Sequence, residues 1–266
     1  MHILIDIGGT NTRVARTDDK ESFDEPIIFS TPQNFDEWFS IVVGHITALA
    51  KGEQITSIVT GVAAVFSEDR STLLTSRHLP EWQGINLKQK IGGWFNCETI
   101  LENDTALVGL GEAVFGSGKG YDIVVYITIS TGVGGVRIID GKVDRNKFGF
   151  EIGHQIINAD GKELEYYLAG SSHEQRFGMP SRDIKDLEFW KEVNYYGGIL
   201  AANTTMYWSP AVIVFGGPVV NDMNLEEVTT YTKTFTPMYT TLPVFVKSSL
   251  GALGGLYGGM AYLKSN

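Results

Sequence analysis

Two periodicities of apolar residues alternate along the chain. Short apolar runs bounded by glycine or polar clusters are typical of strands, which we predict over residues 2–6, 12–15, 55–62, 99–102, 123–129, 136–139, 142–143 and 211–215. Apolar residues at helical spacing predict a helix that begins after Asn34 and three further helices over residues 105–115, 189–206 and 250–263. Strands that alternate with helices indicate a layered α/β architecture.

The early and late parts of the chain follow the same plan. In each part a strand runs into a glycine-containing turn, at residues 6–11 and again at residues 130–135, and a second strand follows the turn. Asp140-Gly141 then predicts a tight hairpin. Since no low-complexity linker separates the two parts, we expect two domains in a continuous chain. These are residues 1–115, completed by the helix within residues 250–266, and residues 116–249.

Composition narrows the classes of partner. The 266 residues are 43% apolar and 20% charged, which is near the globular average, and no apolar stretch reaches the ~20 residues that a bilayer requires. A net charge of -10 opposes binding to nucleic acid and to anionic lipid. Because the first strand follows Met1 at once, we expect no leader and a cytoplasmic location. The single cysteine, Cys97, can form neither an internal disulfide nor a multi-cysteine zinc site.

The two glycine turns are candidate phosphate sites, because glycine lets backbone N–H groups approach an anion closely. The alternative is that both are only tight hairpins. Neither turn has the spacing of a P-loop or of a dinucleotide-binding fingerprint. Asp6 ends an apolar strand, where an ionised carboxylate is costly unless a cation or a hydrogen bond accompanies it. It is either a magnesium ligand or an aspartate that bonds to its own turn.

Four motifs in a fixed order resemble those of ROK-family sugar kinases: Asp6-Ile7-Gly8-Gly9-Thr10-Asn11, Glu102-Asn103-Asp104, Thr131-Gly132-Val133-Gly134-Gly135 and Glu151-Ile152-Gly153-His154. Three further segments are similar to family segments: Leu79-Pro80-Glu81-Trp82, Val214-Phe215-Gly216-Gly217 and the run from Leu164 to Gly170. The resemblance implies a two-lobed actin-like ATPase (ribonuclease H-like) α/β fold. In that fold two mixed-sheet domains are duplicated around a cleft, Mg-ATP is the donor and a hexose is the acceptor.

The resemblance also implies roles for individual residues. Asp104 matches the catalytic base, and the residues that match sugar ligands are Asn103, Glu151, His154 and Glu165. The residues that match the ATP side are Asp6 (with Mg²⁺, directly or through water), Gly8, Gly9, Thr10, Asn11, Thr131, Gly132, Gly134, Gly216 and Gly217. Alternatives remain for three of these positions. Asp104 could be a helix N-cap, His154 a neutral structural histidine, and Glu163 could take the place of Glu165.

The chain departs from the family pattern in places. The Cys-x-Cys-Gly-x-x-Gly-Cys zinc motif is absent between His154 and Glu165, so we expect no structural zinc and a loop over residues 156–163 that is held by packing. Val136 and Phe150 stand where glycine is usual, and Arg77-His78 replaces an asparagine-containing pair. These changes leave the identity of the sugar open.

Two classes of function compete. The first is ATP-dependent phosphorylation of a hexose or N-acetylhexosamine. Such a kinase would have the sugar and ATP as partners and neither nucleic acid nor a membrane. We expect it to form a homo-oligomer, with a dimer favoured. The second is a catalytically silent sugar-binding sensor, although a sensor has no physical need for two phosphate-gripping turns. A third possibility is a kinase of the same fold that acts on a non-sugar acid or alcohol. Glu151 and Glu165 would repel a carboxylate acceptor, which favours a neutral polyol.

Overall fold

The computed structural model describes residues 1–147 and 149–265, which form two compact units. Unit 1 comprises Met1–Phe115, Arg145–Gly149 and Leu250–Asn266, and unit 2 comprises Gly116–Asp144 and Phe150–Ser249. The strands are β1 His2–Ile7, β2 Asn11–Thr17, β3 Ile27–Ser30, β4 Ser57–Val62, β5 Val65–Phe66, β6 Leu73–Thr75, β7 Glu98–Asn103, β8 Ile123–Ile129, β9 Val133–Ile139, β10 Lys142–Val143, β11 Val212–Gly216 and β12 Val244–Lys247. The α-helices are α1 Phe35–Ala50, α2 Leu87–Phe95, α3 Asp104–Val114, α4 Leu164–Leu168, α5 Gly170–Phe177, α6 Leu187–Trp208, α7 Leu225–Phe235 and α8 Gly254–Ser265.

Both units contain a five-stranded mixed sheet with the same topology. In unit 1 the strand order is β3-β2-β1-β4-β7, and in unit 2 it is β10-β9-β8-β11-β12. In each sheet the first three strands are antiparallel neighbours and the last two continue in parallel from the central strand. The prediction that the two parts of the chain follow one plan is therefore confirmed.

Apolar residues cover both faces of the unit 1 sheet. One face packs on α1, where Trp38, Val42 and Ile46 are buried at helical spacing. As the sequence predicts, Asn34 caps this helix, because its side chain accepts a hydrogen bond from the backbone N–H of Glu37 at 3.0 Å. Unit 2 has its own core between its sheet and the surrounding helices, including α6.

Helices α3 and α8 cover the other face of the unit 1 sheet and touch through glycines. A Cβ on Gly111 would lie 2.7 Å from the carbonyl oxygen of Gly254, and a Cβ on Gly258 would overlap the carbonyl group of Leu107. The backbones of the two helices therefore meet directly, and side chains from both join one apolar cluster with the sheet.

Several predicted boundaries are wrong by a few residues. Strand β9 begins at Val133 rather than Val136, so Gly134 lies in the ladder opposite Thr128 and not in the turn. The last α-helix begins at Gly254 rather than Leu250, because a 3-10 turn precedes it. Among residues 1–147 and 149–265, no helix is long and apolar enough to cross a membrane.

Candidate active site

The segment around Asp104 joins β7 to α3 in unit 1. Asn103 caps α3, since its side-chain oxygen accepts from the N–H of Ala106 at 3.3 Å. The alternative in which Asp104 is the N-cap is therefore wrong, and Asp104 is the first residue of the helix. Its Oδ1 accepts from the backbone N–H of Thr105 at 2.7 Å. Within the described residues its Oδ2 accepts no hydrogen bond, so this oxygen is free to meet a ligand.

Burial changes the acidity of Asp104. The side chain is half-buried, and desolvation raises its pKa, while the backbone N–H of Thr105 and the nearby His78 oppose that rise. Glu102, two residues before Asp104, pairs with Arg70 and accepts from the N–H of Asn103 at 2.8 Å. The 102–104 segment is thus held from one side by an ion pair and from the other by a helix cap.

Asp6 lies on β1, directly opposite Arg13 on β2. Arg13 Nη1 donates to Asp6 Oδ2 at 3.1 Å, and both side chains are largely buried. Desolvation raises the pKa of Asp6 to about 6, with Arg13 lowering it and the charge of Asp104 adding to the rise. The first turn of α8 lies against this carboxylate, because a Cβ on Gly255 would be 2.7 Å from Asp6 Cγ. Asp6 and Asp104 are therefore close enough to influence each other.

The first glycine turn, which we call turn 1, consists of Gly8, Gly9 and Thr10. Gly8 donates its N–H to the carbonyl of Asn11 at 3.0 Å, and the hydroxyl of Thr31 donates to the carbonyl of Gly8 at 2.8 Å. Within the described chain the N–H groups of Gly9 and Thr10 have no acceptor. A Cβ on Gly9 would come within 2.7 Å of His78 Cβ, so glycine is needed there for close packing.

The second glycine turn, turn 2, consists of Ser130, Thr131 and Gly132 in unit 2. A helix carboxylate supports it, since the N–H of Val133 donates to Glu165 Oε1 at 2.8 Å. A Cβ on Gly132 would lie 2.6 Å from the same oxygen. In the described residues the N–H groups of Thr131 and Gly132 have no acceptor, and Glu165 Oε2 accepts no hydrogen bond.

Three of the predicted sugar ligands lie together in unit 2. Glu151 precedes a 3-10 turn that ends at His154, and Glu165 lies on α4. Burial raises the pKa of Glu151, which His154 opposes and the charge of Glu165 reinforces. The fourth, Asn103, belongs to unit 1 with Asp104. The structure thus groups Glu151, His154 and Glu165 in one unit and Asn103 and Asp104 in the other.

The 156–163 loop is a short hairpin, which we call the 156–163 hairpin. Ile156 and Glu163 form an antiparallel bridge, and the N–H of Ile157 donates to the carbonyl of Lys162 at 3.1 Å. Ile156 is 69% exposed. Ile157 packs against the core of unit 2, so packing holds this loop as expected, and backbone hydrogen bonds close it in addition.

Structural constraints alone account for Gly216, the last residue of β11, and for Gly217, which follows it. Gly217 has a φ of 91°, and a Cβ there would overlap the carbonyl of Ile129. A Cβ on Gly216 would overlap the ring of Tyr126. The proposed contact of both glycines with adenosine stays a prediction.

Asp6 fits a magnesium ion whose other ligands are substrate phosphates and water. Mg²⁺ is typically bound by one or two carboxylates together with such ligands, and Asp6 supplies one carboxylate at the end of a buried strand. In residues 1–147 and 149–265, no group of three or more His, Cys, Asp or Glu side chains could enclose a metal ion by itself.

Two residues near these sites were not singled out as ligands from the sequence, and a third, Glu163, was named only as an alternative to Glu165. Arg13 pairs with Asp6, His78 packs on turn 1, and Glu163 Oε2 lies 2.7 Å from His154 Nδ1. The pairing of β1 with β2 could have indicated Arg13 opposite Asp6. The Asp160-Gly161 turn signal could have indicated the hairpin that carries Glu163.

A model of the ROK family matches residues 2–266. The chain belongs to the ROK family. Over 161 residues this ROK protein is 30% identical to a glucokinase of Streptomyces coelicolor, an alignment that covers 60% of this chain and 50% of that protein. It is also 33% identical over 102 residues to the xylose repressor of Bacillus subtilis, which covers 38% of this chain and 26% of the repressor. The chain therefore spans about half or less of the length of these curated relatives.

A solved structure extends the comparison to the whole chain. A ROK family glucokinase from Streptomyces griseus, crystallised in complex with glucose and AMPPNP, superimposes with a TM-score of 0.79. The match covers 100% of this chain and 99% of that one at 22% identity, a level that establishes the fold alone. The expected actin-like α/β fold with duplicated mixed sheets is confirmed.

Proposed function

We propose that this ROK protein transfers the γ-phosphoryl group of ATP to a hydroxyl of a hexose or N-acetylhexosamine. The observation that carries the proposal is the carboxylate of Asp104, which is half-buried and ordered through Oδ1 while Oδ2 has no hydrogen-bond partner in the described residues. An acceptor alcohol needs a carboxylate in this state, because the hydroxyl must be oriented and must lose its proton.

Asp104 acts first by position. Aspartate is a weak base, but phosphoryl transfer passes through a loose transition state in which the nucleophile needs alignment more than early deprotonation. Burial raises the pKa of Asp104 and so makes it a better proton acceptor late in the step. Bound Mg-ATP would supply the phosphoryl group and the counter-charge for its oxygens. Asp6 and the free N–H groups of turn 1 and turn 2 are the residues we assign to holding it.

The acceptor is assigned to the carboxylates and histidine of unit 2. Glu151 and Glu165 offer acceptors for hydroxyl protons, and His154 offers a nitrogen that can accept or donate. Their combined negative charge favours a neutral polyol over an acid. With ATP as donor and a net charge of -10, we place the protein in the cytoplasm without nucleic acid or membrane partners, and we infer a homodimer from the family resemblance.

A catalytically silent sugar sensor is the second candidate. The likeness to the xylose repressor favours it, because that relative is a repressor. The two candidates differ in one measurable respect, which is turnover of ATP.

The deciding experiment is an ADP-release assay over glucose, mannose, fructose, allose and N-acetylhexosamines, with Asp104→Asn beside the wild type. We expect Mg²⁺-dependent turnover with at least one sugar and a loss of about 10²- to 10⁴-fold in kcat for Asp104→Asn, with sugar binding retained. Asp36→Asn, on an exposed part of α1, is the matched control and should turn over normally. Unchanged turnover in Asp104→Asn would remove this residue from its role. Tight sugar binding without turnover would favour the sensor.

A further inference from the structure

The side chain of His154 has one bound nitrogen and one free nitrogen. Nδ1 lies 2.7 Å from Glu163 Oε2, while Nε2 has no partner among residues 1–147 and 149–265. A carboxylate accepts but does not donate, so the Nδ1 atom must carry the proton. In the neutral ring Nε2 is then left with its lone pair and acts as a hydrogen-bond acceptor.

The backbone that carries His154 is already fixed. Gln155 donates to the carbonyl of Ile152 at 2.8 Å and accepts from Asn203 on α6 at 2.8 Å. Gly153 packs so tightly that a Cβ there would lie 2.5 Å from the carbonyl oxygen of Val133. The remaining freedom is the direction of the imidazole ring, and Glu163 removes it.

The ion pair is not needed to close the 156–163 hairpin. The hairpin has its own backbone bonds, to which the N–H of Leu164 adds a bond to the carbonyl of Gln155 at 3.0 Å. The side chains of His154 and Glu163 are 52% and 43% exposed, and ion pairs with that exposure contribute little to stability. A role in stability therefore does not account for the pair.

We infer that Glu163 is a positioning residue: by accepting the Nδ1 proton it fixes the tautomer and direction of His154, so that Nε2 is presented to a hydroxyl of the acceptor sugar. This inference rests on the proposed sugar-binding function and assigns that site a residue outside the set implied by the family resemblance.

The electrostatic surroundings act in the same direction. Glu163, Glu165 and Glu151 all face His154, and the hydrogen bond to Glu163 is the largest cause of its raised pKa, which partial burial opposes. The imidazole therefore stays protonated to a higher pH than an isolated histidine, whose pKa is about 6.5. At a pH below the raised pKa, Nε2 carries a proton and donates a hydrogen bond. At a pH above it, Nε2 is unprotonated and accepts one.

The test is ¹⁵N NMR of the imidazole of His154 in the full-length protein, in wild type, Glu163→Ala and Glu163→Gln. We expect the Nδ1–H tautomer in wild type, a mixture with a lower pKa in Glu163→Ala, and a retained tautomer with a lower pKa in Glu163→Gln, because a carboxamide oxygen still accepts from Nδ1. Asp160→Asn removes a carboxylate from the same hairpin without contacting His154 and should change neither quantity. An unchanged tautomer and pKa in Glu163→Ala would overturn the inference.

Kinetics and binding complete the test. In Glu163→Ala the KM for the sugar should rise about tenfold, because an oriented hydrogen bond is lost, and the KM for ATP should not change. Glu163→Gln should restore most of the sugar affinity. Thermal melts must show that both variants fold. If wild type turns over no sugar, the kinase proposal fails, and titration of the Nε2 resonance with the same sugars decides the inference alone. If none of the sugars shifts this resonance in the wild type, the inference is overturned.

Discussion

Turn 1 and turn 2 occupy equivalent places in two sheets of the same topology, yet acidic side chains reach them in different ways. In unit 1 the carboxylate is Asp6 on the strand itself, and Arg13 across the hairpin compensates its charge. In unit 2 the carboxylate is Glu165 from a helix, and it accepts a backbone N–H directly after the turn. The duplicated backbone therefore determines where the backbone N–H groups lie, while the local side chains determine what each turn can bind.

Substitution of Asp6 and of Glu165 should impair different functions, and the loss of turnover at Asp6 should be the greatest change. Asp6→Asn should lower Mg²⁺-dependent turnover by about 100-fold or more and leave sugar affinity near wild type, because it removes charge beside the phosphates. Glu165→Gln should instead raise the KM for sugar by about tenfold with ATP affinity little changed, because the amide oxygen still accepts from Val133. Isothermal titration with each ligand and steady-state kinetics measure both. If both variants changed sugar affinity and Mg²⁺-dependent turnover in the same way, the assignment of separate roles to Asp6 and Glu165 would be wrong.

Arg13 offers the next test, on stability. Arg13→Leu should lower the free energy of unfolding by roughly 3 kcal/mol, since it leaves the carboxylate of Asp6 buried without its partner. Arg137→Leu is the matched control on the equivalent strand of unit 2. Its partner Asp144 is more exposed, with 28% of its side chain accessible, and we expect a loss of about 1 kcal/mol or less. Urea denaturation provides both values, and equal losses would show that compensation at Asp6 is not special.

The glycines give the smallest of these effects. Gly9→Ala and Gly132→Ala should each weaken nucleotide binding by about tenfold, because the new methyl group displaces His78 in turn 1 and Glu165 in turn 2. Gly44→Ala on α1, where a Cβ meets nothing within 4 Å, should bind nucleotide normally and gain about 0.5–1 kcal/mol of stability. Fluorescence titration with an ATP analogue is the readout. Normal affinity in both turn variants would count against the phosphate role of these turns.

Local patterns in the sequence were enough to predict four of the five strands in each large sheet, but they did not predict the edge strands β3 and β12. A glycine turn between two apolar runs specifies a hairpin without distant information, and Asp140-Gly141 adopts positive φ values of 49° and 70° as that dipeptide favours. The cap at Asn34 was equally local. At the start of α3, two adjacent residues suit the N-cap position, and propensity alone could not separate Asn103 from Asp104.

Other elements depend on contacts that the sequence pattern does not display. Helix α7 is rich in threonine, which favours strands, and its threonine hydroxyls instead donate to carbonyls one turn earlier, as Thr229 does to Leu225 at 2.7 Å. Its cap Asn224, which accepts from both Glu226 and Glu227, was the available signal. The pairing of His154 with Glu163 required the 156–163 hairpin to be recognised first.

The glycine contact between α3 and α8 has a consequence for biosynthesis. One apolar cluster of unit 1 takes Leu256, Met260 and Leu263 from α8, so that cluster stays incomplete until α8 has left the ribosome. The core residues of unit 2 lie earlier in the chain and end at Phe245, so at translation rates of about 5–20 residues per second they are all synthesised about 1–4 s before Leu263. Synthesis of this apolar cluster thus starts before unit 2 and ends after it, and a nascent chain stalled before Gly254 would expose the surface that α8 covers.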